Sequence, residues 1–413
     1  MANYIARALE EPLLRASSQF PVLVLTGPRQ CGKTTLLRHL QANDRRYVSL
    51  DLMQNRMLAK EDPELFLQQF PPPCIIDEIQ YAPELLSTIK AHADGRKDDK
   101  GLFWLTGSQQ FRLMQGVTES LAGRAAVVTL NGLSNRELAL RRNAIAPFVP
   151  AGPPSAYTGS RDASGQPLND LASLFQRLYL GSYPALHSGE IDSSLYYSSY
   201  IQTYLERDVR ELSQVGNVES FFTFLRVAAA RTGAMLNLSD MARDCAVSVP
   251  TVKHWLSILT TTSIIYLLKP YATNRSLRLV KSPKLYFTDT GLCAHLAGYS
   301  SPETLAASPL RGAIFETWCV SEVLKSWWYS LREPPLYYFR DKDGNEIDLI
   351  IENDGRLHPV EIKLGATPQK DWIKSFSALE KLSLPVGPGA VLSLTSEPFA
   401  LDRDISALPA GWI

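Results

Sequence analysis

The sequence predicts an α/β protein with a parallel β-sheet domain first, a helical region next and a second, smaller α/β region at the end. Three patterns support this prediction. Apolar runs alternate with helical stretches from residue 22 to residue 106, which is the pattern of βαβ units in a parallel sheet. Residues 171–268 consist mainly of helix-like segments. Short apolar strands then return from residue 337 onward.

Length and composition indicate a folded protein with several domains. The 413 residues include 45% hydrophobic and 20% charged residues, which excludes a wholly disordered or collagen-like chain. Lys and Arg together number 42, as do Asp and Glu, so any basic surface for nucleic acid has to be local.

Neither a disulfide framework nor a membrane segment is predicted. The five cysteines form no C-x-x-C pair, which argues against a zinc site and favours a reducing compartment. No apolar run reaches about 18 residues, and residues 1–19 have no uninterrupted apolar core. We therefore expect a cytoplasmic protein that does not contact membranes.

Residues 27–34, GPRQCGKT, form an intact G-x-x-x-x-G-K-[ST] loop between an apolar strand and a helix. In such a loop the backbone amides cradle phosphate oxygens, Lys33 neutralises the β- and γ-phosphates and the Thr34 hydroxyl binds Mg²⁺. The alternative is a glycine-rich turn with an exposed lysine, which the strand and helix context disfavours. The expected nucleotide contacts are Gly27, Pro28, Arg29, Gln30, Cys31, Gly32, Lys33, Thr34 and Thr35.

A second motif follows at residues 74–78, where an apolar strand ends in Asp77 and Glu78. Asp77 would hold Mg²⁺ through water, while Glu78 would polarise the water that attacks a phosphoanhydride. The alternative is a solvated strand end. Together with the phosphate loop, this motif predicts Mg²⁺-dependent hydrolysis of ATP.

Two further positions are candidates for the same site. Ser108 follows the strand of residues 102–106, where a polar side chain can sense the γ-phosphate. Arg124 closes the segment SLAGR and is a candidate for stabilising transition-state charge in the site of a neighbouring subunit. The alternatives are an ordinary strand end for Ser108 and a surface salt bridge for Arg124.

These motifs together resemble the AAA-type ATPases of bacteria and archaea that carry a C-terminal domain of unknown function. The resemblance covers nearly the whole chain, and it implies an AAA-like core, a winged-helix middle and a tail similar to PD-(D/E)XK, or restriction-endonuclease-like, nucleases. The segments that carry it are GPRQCGKTTLL, IIDEIQ, LTGSQQ, SLAGR, LSNRE (133–137), GSYPAL (181–186), YLERDV (204–209), KSPKLYFTDTGL (281–292), EIDLIIE and VEIK. GSYPAL and LSNRE depart slightly from the family's GGFPE and PLS-x-x-E forms, but neither lies in the nucleotide motifs.

Domain boundaries follow from this pattern. Residues 1–142 are expected to form the ATPase core and residues 143–215 a loop insertion with a helical lid or linker. The insertion holds five prolines and three glycines within residues 143–167, too many for a helix or strand. Residues 216–275 are expected to form the winged helix, whose segment 251–259 opens with Thr251 as a candidate N-cap. Residues 276–413 are expected to form the nuclease-like domain.

Four C-terminal residues have the order E…D…E-x-K of the nuclease-like fold, in which two carboxylates hold Mg²⁺ and a lysine supports an attacking water. They are Glu316, Asp348, Glu361 and Lys363. A two-residue turn at 354–355 would place Asp348 opposite Glu361, and Glu346 opposite Lys363, on one face of a hairpin. Like charges directly opposed destabilise a sheet, so we expect a metal ion between Asp348 and Glu361. The alternative is a domain that binds DNA or packs without cleaving.

A basic stripe overlaps the predicted helix-turn-helix. Between Cys245 and Thr288 there is no Asp or Glu, but there are six lysines and arginines. Lys253 and His254 would face a DNA groove from the second helix. The alternative is a basic face that docks on an acidic domain. The expected DNA contacts are Lys253, Arg275, Arg278, Lys281 and Lys284.

The sequence thus predicts a Mg²⁺-dependent ATPase that acts on DNA and assembles into a ring-shaped homo-oligomer with sites at subunit interfaces. ATP and Mg²⁺ are the expected cofactors. The alternative is an ATP-dependent switch or scaffold whose nuclease-like tail binds protein or DNA without cleavage.

Overall fold

The computed structural model describes residues 4–41, 45–96, 98–107, 117, 119–139, 146–161, 168, 170–187, 189, 191–205, 218–272 and 282–413. Within this part of the chain, strands form a five-stranded, a six-stranded and a two-stranded sheet. In the same residues, no helix is long and apolar enough to cross a membrane.

The N-terminal region is a parallel sheet in the order β2-β3-β4-β1-β5, which confirms the predicted fold class. β1, β3 and β4 are wholly buried because helices cover both faces. The strands are β1 Val22–Thr26, β2 Arg46–Ser49, β3 Cys74–Asp77, β4 Phe103–Thr106 and β5 Ala125–Thr129. The helices are α1 Glu10–Ser17, α2 Lys33–His39, α3 Met53–Glu61, α4 Pro63–Gln69, α5 Leu85–Gly95 and α6 Asn135–Leu138.

The middle region is helical and ends in an antiparallel ribbon, and its assignment as a winged helix stays a prediction. The ribbon pairs Ile265 with Phe287, so the predicted boundary between residues 275 and 276 falls inside it. The elements are α7 Leu171–Leu180, α8 Ser193–Tyr200, α9 Val218–Ala230, α10 Leu238–Asp244, α11 Val249–Thr261, β6 Ile265–Leu268 and β7 Lys284–Phe287.

The N-cap predicted for the second helix of the helix-turn-helix is wrong. The helix, α11, begins at Val249, and its cap is Ser248, whose side chain accepts the Thr251 backbone N–H at 3.2 Å. Pro250 sits in the first turn, where its missing N–H is not needed. Thr251 is therefore a residue of the first turn and not the cap.

The C-terminal region is a mixed sheet in the order β12-β13-β11-β10-β9-β8. Asp354 and Gly355 both have positive φ, 48° and 71°, as a two-residue hairpin turn requires. Val360 pairs with Leu349, so β9 and β10 have the predicted register. The strands are β8 Leu336–Arg340, β9 Glu346–Asn353, β10 Arg356–Ile362, β11 Gly389–Ser393, β12 Phe399–Asp402 and β13 Ile405–Pro409, and the helices are α12 Thr290–Leu296, α13 Pro302–Ala306 and α14 Arg311–Trp328.

The middle and C-terminal regions share one hydrophobic core. Trp255 of α11 belongs to the same buried cluster as Val320 of α14 and Leu349 of β9. The segment after β6 also extends the C-terminal sheet, because Pro270 pairs with Tyr338 of β8. A fragment that starts at residue 276 would therefore lose half of the ribbon and much of this core.

Candidate active site

The phosphate-binding loop connects the carboxyl end of β1 to α2. Gly27 has φ 133°, and a Cβ atom there would lie 1.9 Å from the Leu130 carbonyl oxygen, so only glycine fits. Lys33 is 7% exposed, and its Nζ donates to the carbonyl oxygens of Gly27 at 2.9 Å and Pro28 at 2.7 Å. The positive charge of Lys33 thus lies within the G-x-x-x-x-G-K-[ST] loop, whose backbone amides bind phosphates.

Asp77 joins the loop to the end of β3. The Thr34 hydroxyl donates to Asp77 Oδ2 at 2.9 Å, and the Tyr47 hydroxyl donates to the same oxygen at 2.7 Å. Burial raises the pKa of Asp77, while the hydrogen bonds from Tyr47 and Thr34 oppose this shift. Mg²⁺ prefers oxygen ligands such as hydroxyl and carboxylate groups, so Thr34 and Asp77 fit the predicted metal ion.

Tyr47 belongs to the site but has no sequence motif. It lies in β2, which pairs with β3 so that Tyr47 is opposite Ile75, two residues before Asp77. Only this strand pairing brings the phenol to the carboxylate. A tyrosine in a short strand carries no signal of such a role by itself.

Glu78 follows Asp77 in a left-handed conformation, with φ 58° and ψ 43°. The side-chain amide of Gln80 donates to its carboxylate. A non-glycine residue in this region is uncommon, and such strained residues are enriched at active sites. The geometry at Glu78 is therefore compatible with the predicted role in activating water.

The two other catalytic candidates are Ser108 and Arg124, and the structure describes only Arg124. Ser108 lies outside the described residues. Arg124 directly precedes β5, which is parallel to β1. It therefore lies at the amino ends of the strands, whereas the phosphate-binding loop lies at their carboxyl ends. Its Nε is 2.5 Å from Asp94 Oδ1 and its Nη2 is 3.1 Å from Asp94 Oδ2. This pair supports the salt-bridge alternative, and a role in a neighbouring subunit stays a prediction.

The predicted C-terminal acids do lie together, around two lysines. Lys284 Nζ is 2.7 Å from Glu346 Oε1, 3.4 Å from Glu316 Oε1 and 3.8 Å from Asp348 Oδ1. Lys363 Nζ is 2.5 Å from Glu361 Oε1 and 4.0 Å from Asp348 Oδ2. We call these six residues the acidic cluster. Lys363 thus pairs with Glu361, and the nearest cation to Glu346 is Lys284, with Arg340 Nη1 3.8 Å from its other oxygen.

The prediction that Lys284 contacts DNA is wrong. Lys284 is 4% exposed, and β7 is buried along its whole length. Burial alone would lower the pKa of Lys284, but Glu316, Asp348 and Glu346 outweigh it, so the pKa is raised and the amine stays charged. Lys284 belongs to a basic stretch of the sequence, but it is buried and forms ion pairs with acids that are distant in the sequence.

Two carboxyl groups of the acidic cluster have strongly shifted pKa values. Burial, followed by repulsion from Asp348, raises the pKa of Glu316 to about 7 and that of Glu361 to about 7. Glu361 Oε2 is buried without a hydrogen-bond partner. In the described part of the chain, no three acidic, histidine or cysteine side chains are arranged to hold a metal ion. The positive charge that the facing acids need comes from Lys284 and Lys363.

The remaining predicted DNA contacts are only partly described. Lys253 and His254 are exposed on α11, and their contact with DNA stays a prediction. Lys269, after β6, is also exposed. Arg275, Arg278 and Lys281 lie outside the described residues.

The segments outside the nucleotide motifs join the regions together. Lys325 of α14 donates to the Leu133 carbonyl at 3.0 Å and to Glu322 at 2.8 Å. Asp289 caps α12 and accepts the Ser182 N–H at 2.7 Å. The segments LSNRE, GSYPAL and YFTDTGL therefore contribute to the packing of one region on another.

Comparison with known proteins finds three family matches along the chain. Residues 19–139 match the family described as AAA domain, and residues 171–303 and 311–413 match two families described as domains of unknown function, DUF8612 and DUF4143. Uncharacterized proteins of Mycobacterium tuberculosis and Mycobacterium bovis are each 30% identical to this chain over 407 residues, which is 97% of this chain and 82% of each relative.

A solved structure shows a weaker similarity. The Walker-type ATPase of Pyrococcus abyssi is 17% identical and aligns over 71% of this chain and 96% of its own, with a TM-score of 0.41. Similarity at that level carries no conclusion about activity or partners.

Proposed function

This chain belongs to the same family as the two mycobacterial proteins, and from this premise we propose that it is a Mg²⁺-dependent AAA-type ATPase that acts on DNA. The observation that supports this proposal is the contact between the phosphate-binding loop and β3. Lys33 Nζ donates to the Gly27 carbonyl inside the loop, and the Thr34 hydroxyl donates to Asp77 at the end of β3. These are the parts that phosphoryl transfer requires.

Each residue has a distinct role in this reaction. The loop amides and Lys33 bind and orient the phosphates, and Thr34 and Asp77 would hold the metal ion. Glu78 orients the attacking water and accepts its proton. A Mg²⁺ ion held by Thr34 and Asp77 would neutralise the charge that develops on the phosphate oxygens.

DNA is proposed as the macromolecular partner because of the exposed face of α11. Lys253 and His254 are exposed there, in a stretch of sequence without acids. A helix face with an exposed lysine can lie in a groove of duplex DNA and contact the phosphates that border it. We further propose a homo-oligomeric ring in the cytoplasm, as the resemblance to AAA-type ATPases implies.

A second candidate is favoured by the acidic cluster. Lys284 contacts Glu316, Glu346 and Asp348, and Asp348 is one of the two acids between which the metal ion is predicted. This supports a tail that binds DNA or protein without cleaving it, so that ATP controls a switch or scaffold.

The test is ATP hydrolysis by the full chain with and without duplex, single-stranded and branched DNA. We expect DNA to stimulate turnover by the wild type. Lys33→Ala should lose nucleotide binding, while Glu78→Gln should keep binding and lose hydrolysis. Unchanged turnover in both variants would refute the ATPase assignment. A parallel assay for DNA cleavage with Mn²⁺ tests the second candidate, because cleavage would refute a tail that binds without cutting.

A further inference from the structure

Arg7 lies directly behind the phosphate-binding loop, although it comes from the segment before α1. It is 6% exposed. Its Nη1 donates to the Cys31 carbonyl at 2.9 Å, its Nη2 to the Asn131 carbonyl at 2.8 Å and its Nε to Glu137 Oε1 at 2.9 Å. The charged side chain of Arg7 is thus almost completely buried and hydrogen bonded to backbone carbonyls of the loop and of the segment after β5.

The contact with Cys31 determines the direction of an amide in the loop. The Cys31 carbonyl and the Gly32 N–H belong to one planar trans peptide, so they point in opposite directions. Because Arg7 holds the carbonyl, the Gly32 N–H points away from Arg7. The amides of such a loop bind the phosphates of the nucleotide. We propose that Arg7 is a positioning residue that orients the Cys31–Gly32 peptide for phosphate binding; this inference depends on the proposed nucleotide site.

Glu137 holds Arg7 in this orientation. One of its oxygens accepts the Arg7 Nε and the Ala8 N–H, at 2.9 Å and 2.7 Å, and the other accepts the Ser134 N–H at 2.6 Å. The Glu137 side chain is completely buried. The guanidinium is therefore fixed by a carboxylate on one side while its other nitrogens reach the carbonyls. A lysine, with one amine, cannot make this set of contacts.

The C-terminal region contributes to the same arrangement through Tyr329. The Tyr329 hydroxyl accepts Arg7 Nη2 at 3.2 Å and donates to the Gly132 carbonyl at 2.7 Å. Tyr329 directly follows α14, the helix that also carries Glu316 of the acidic cluster. The position of the loop is thus linked to the docking of the C-terminal region.

The test is binding of the fluorescent nucleotide mant-ADP with Mg²⁺ to the full chain. We expect Arg7→Ala to raise the Kd at least about tenfold, equivalent to about 1.4 kcal/mol. Arg7→Lys keeps a charge beside Glu137, so it should fold and still bind several-fold more weakly than wild type. Methylguanidine, added at millimolar concentration, should restore part of the affinity of Arg7→Ala, whereas ethylamine should not. A residue that only stabilises the fold would not show this selective rescue.

Lys325→Ala is the matched control. Lys325 is 2% exposed and lies at the same junction, but it bonds the Leu133 carbonyl. Its loss should lower stability and leave the Kd within about twofold of wild type, a change below about 0.5 kcal/mol. If wild type binds mant-ADP and Arg7→Lys binds it equally well, the role of Arg7 is refuted while the proposed function stands. If wild type binds no nucleotide, the proposed function fails, and the role of Arg7 with it.

Discussion

The ammonium group of Lys284 lies 2.7 Å from the carboxylate of Glu346, inside the junction between the middle ribbon and the C-terminal sheet. The same nitrogen also faces Glu316 of α14 and Asp348 of β9. A single buried lysine therefore links three acids from the C-terminal region to a strand of the middle region.

Lys284→Ala should destabilise the protein, because it removes the cation beside the largely buried carboxylate of Glu316 and one of the two cations near Asp348. Breaking a buried ion pair from one side typically costs about 3–5 kcal/mol. Urea unfolding of the full chain measures the change. The control is Lys253→Ala, an exposed lysine on α11, for which we expect a change within about 0.5 kcal/mol. A loss below about 1 kcal/mol in Lys284→Ala would contradict the described network.

Removal of Lys284 should also create a dependence on divalent metal. Without the amine, the negative charges of Glu316, Glu346 and Asp348 are unbalanced, and we expect these carboxylates to rearrange around a divalent cation; binding to the native state then raises stability by mass action. We expect Mn²⁺, without nucleotide, to raise the melting temperature of Lys284→Ala and not that of wild type. Adding Asp348→Asn to Lys284→Ala should abolish the shift. A similar shift in wild type would instead support the predicted metal site between Asp348 and Glu361.

The raised pKa of Glu316, about 7, predicts a dependence of stability on pH. In the unfolded chain a glutamate has a pKa of about 4.3, so between these values the native state binds more protons. The stability that Glu316 contributes is therefore fully present below about pH 4.3 and is lost as the pH rises to about 7. Glu316→Gln should reduce this fall, which urea midpoints from pH 5 to pH 8 would show. Glu380→Gln, an exposed position, should leave the profile unchanged.

Tyr47→Phe tests whether the phenol orients Asp77. Loss of the hydrogen bond to Asp77 Oδ2 should raise the Mg²⁺ concentration needed for half-maximal ATP hydrolysis by about tenfold. The rate at saturating Mg²⁺ should stay close to that of wild type. Asp77→Asn, by comparison, should lose activity at every Mg²⁺ concentration. An unchanged Mg²⁺ requirement in Tyr47→Phe would limit Tyr47 to a packing role.

Lys253 should contribute one phosphate contact to DNA binding. Lys253→Ala is expected to lower the slope of log affinity against log salt by about one unit. Fluorescence anisotropy with a labelled duplex at several salt concentrations measures that slope. The control is Lys374→Ala, because Lys374 is 73% exposed but lies in the C-terminal region beside Asp371. Equal slopes for Lys253→Ala and wild type would exclude α11 as the DNA-binding face.

Features that depend on neighbouring residues could be predicted from the sequence. The loop at 27–34 needs only a strand, glycines and a helix start in consecutive positions, and the structure has them in that order. The hairpin register follows from the turn at Asp354 and Gly355, since side chains alternate along a strand with a period of two. The prediction of strands β1, β3 and β4, and of the parallel sheet that they form, depends in the same way on local sequence, because apolar runs alternate with helical segments along the chain.

Contacts between distant segments were decided only by the tertiary structure. Tyr47 reaches Asp77 because β2 pairs with β3, Arg7 reaches Cys31 from the segment before α1, and Lys284 reaches Glu346 across the junction of two regions. None of these residues belongs to a motif that assigns it this partner. The physical reason is that a buried charge or hydroxyl takes its partner from whichever strand or helix packs beside it, and that choice is made by the whole core and not by the local sequence.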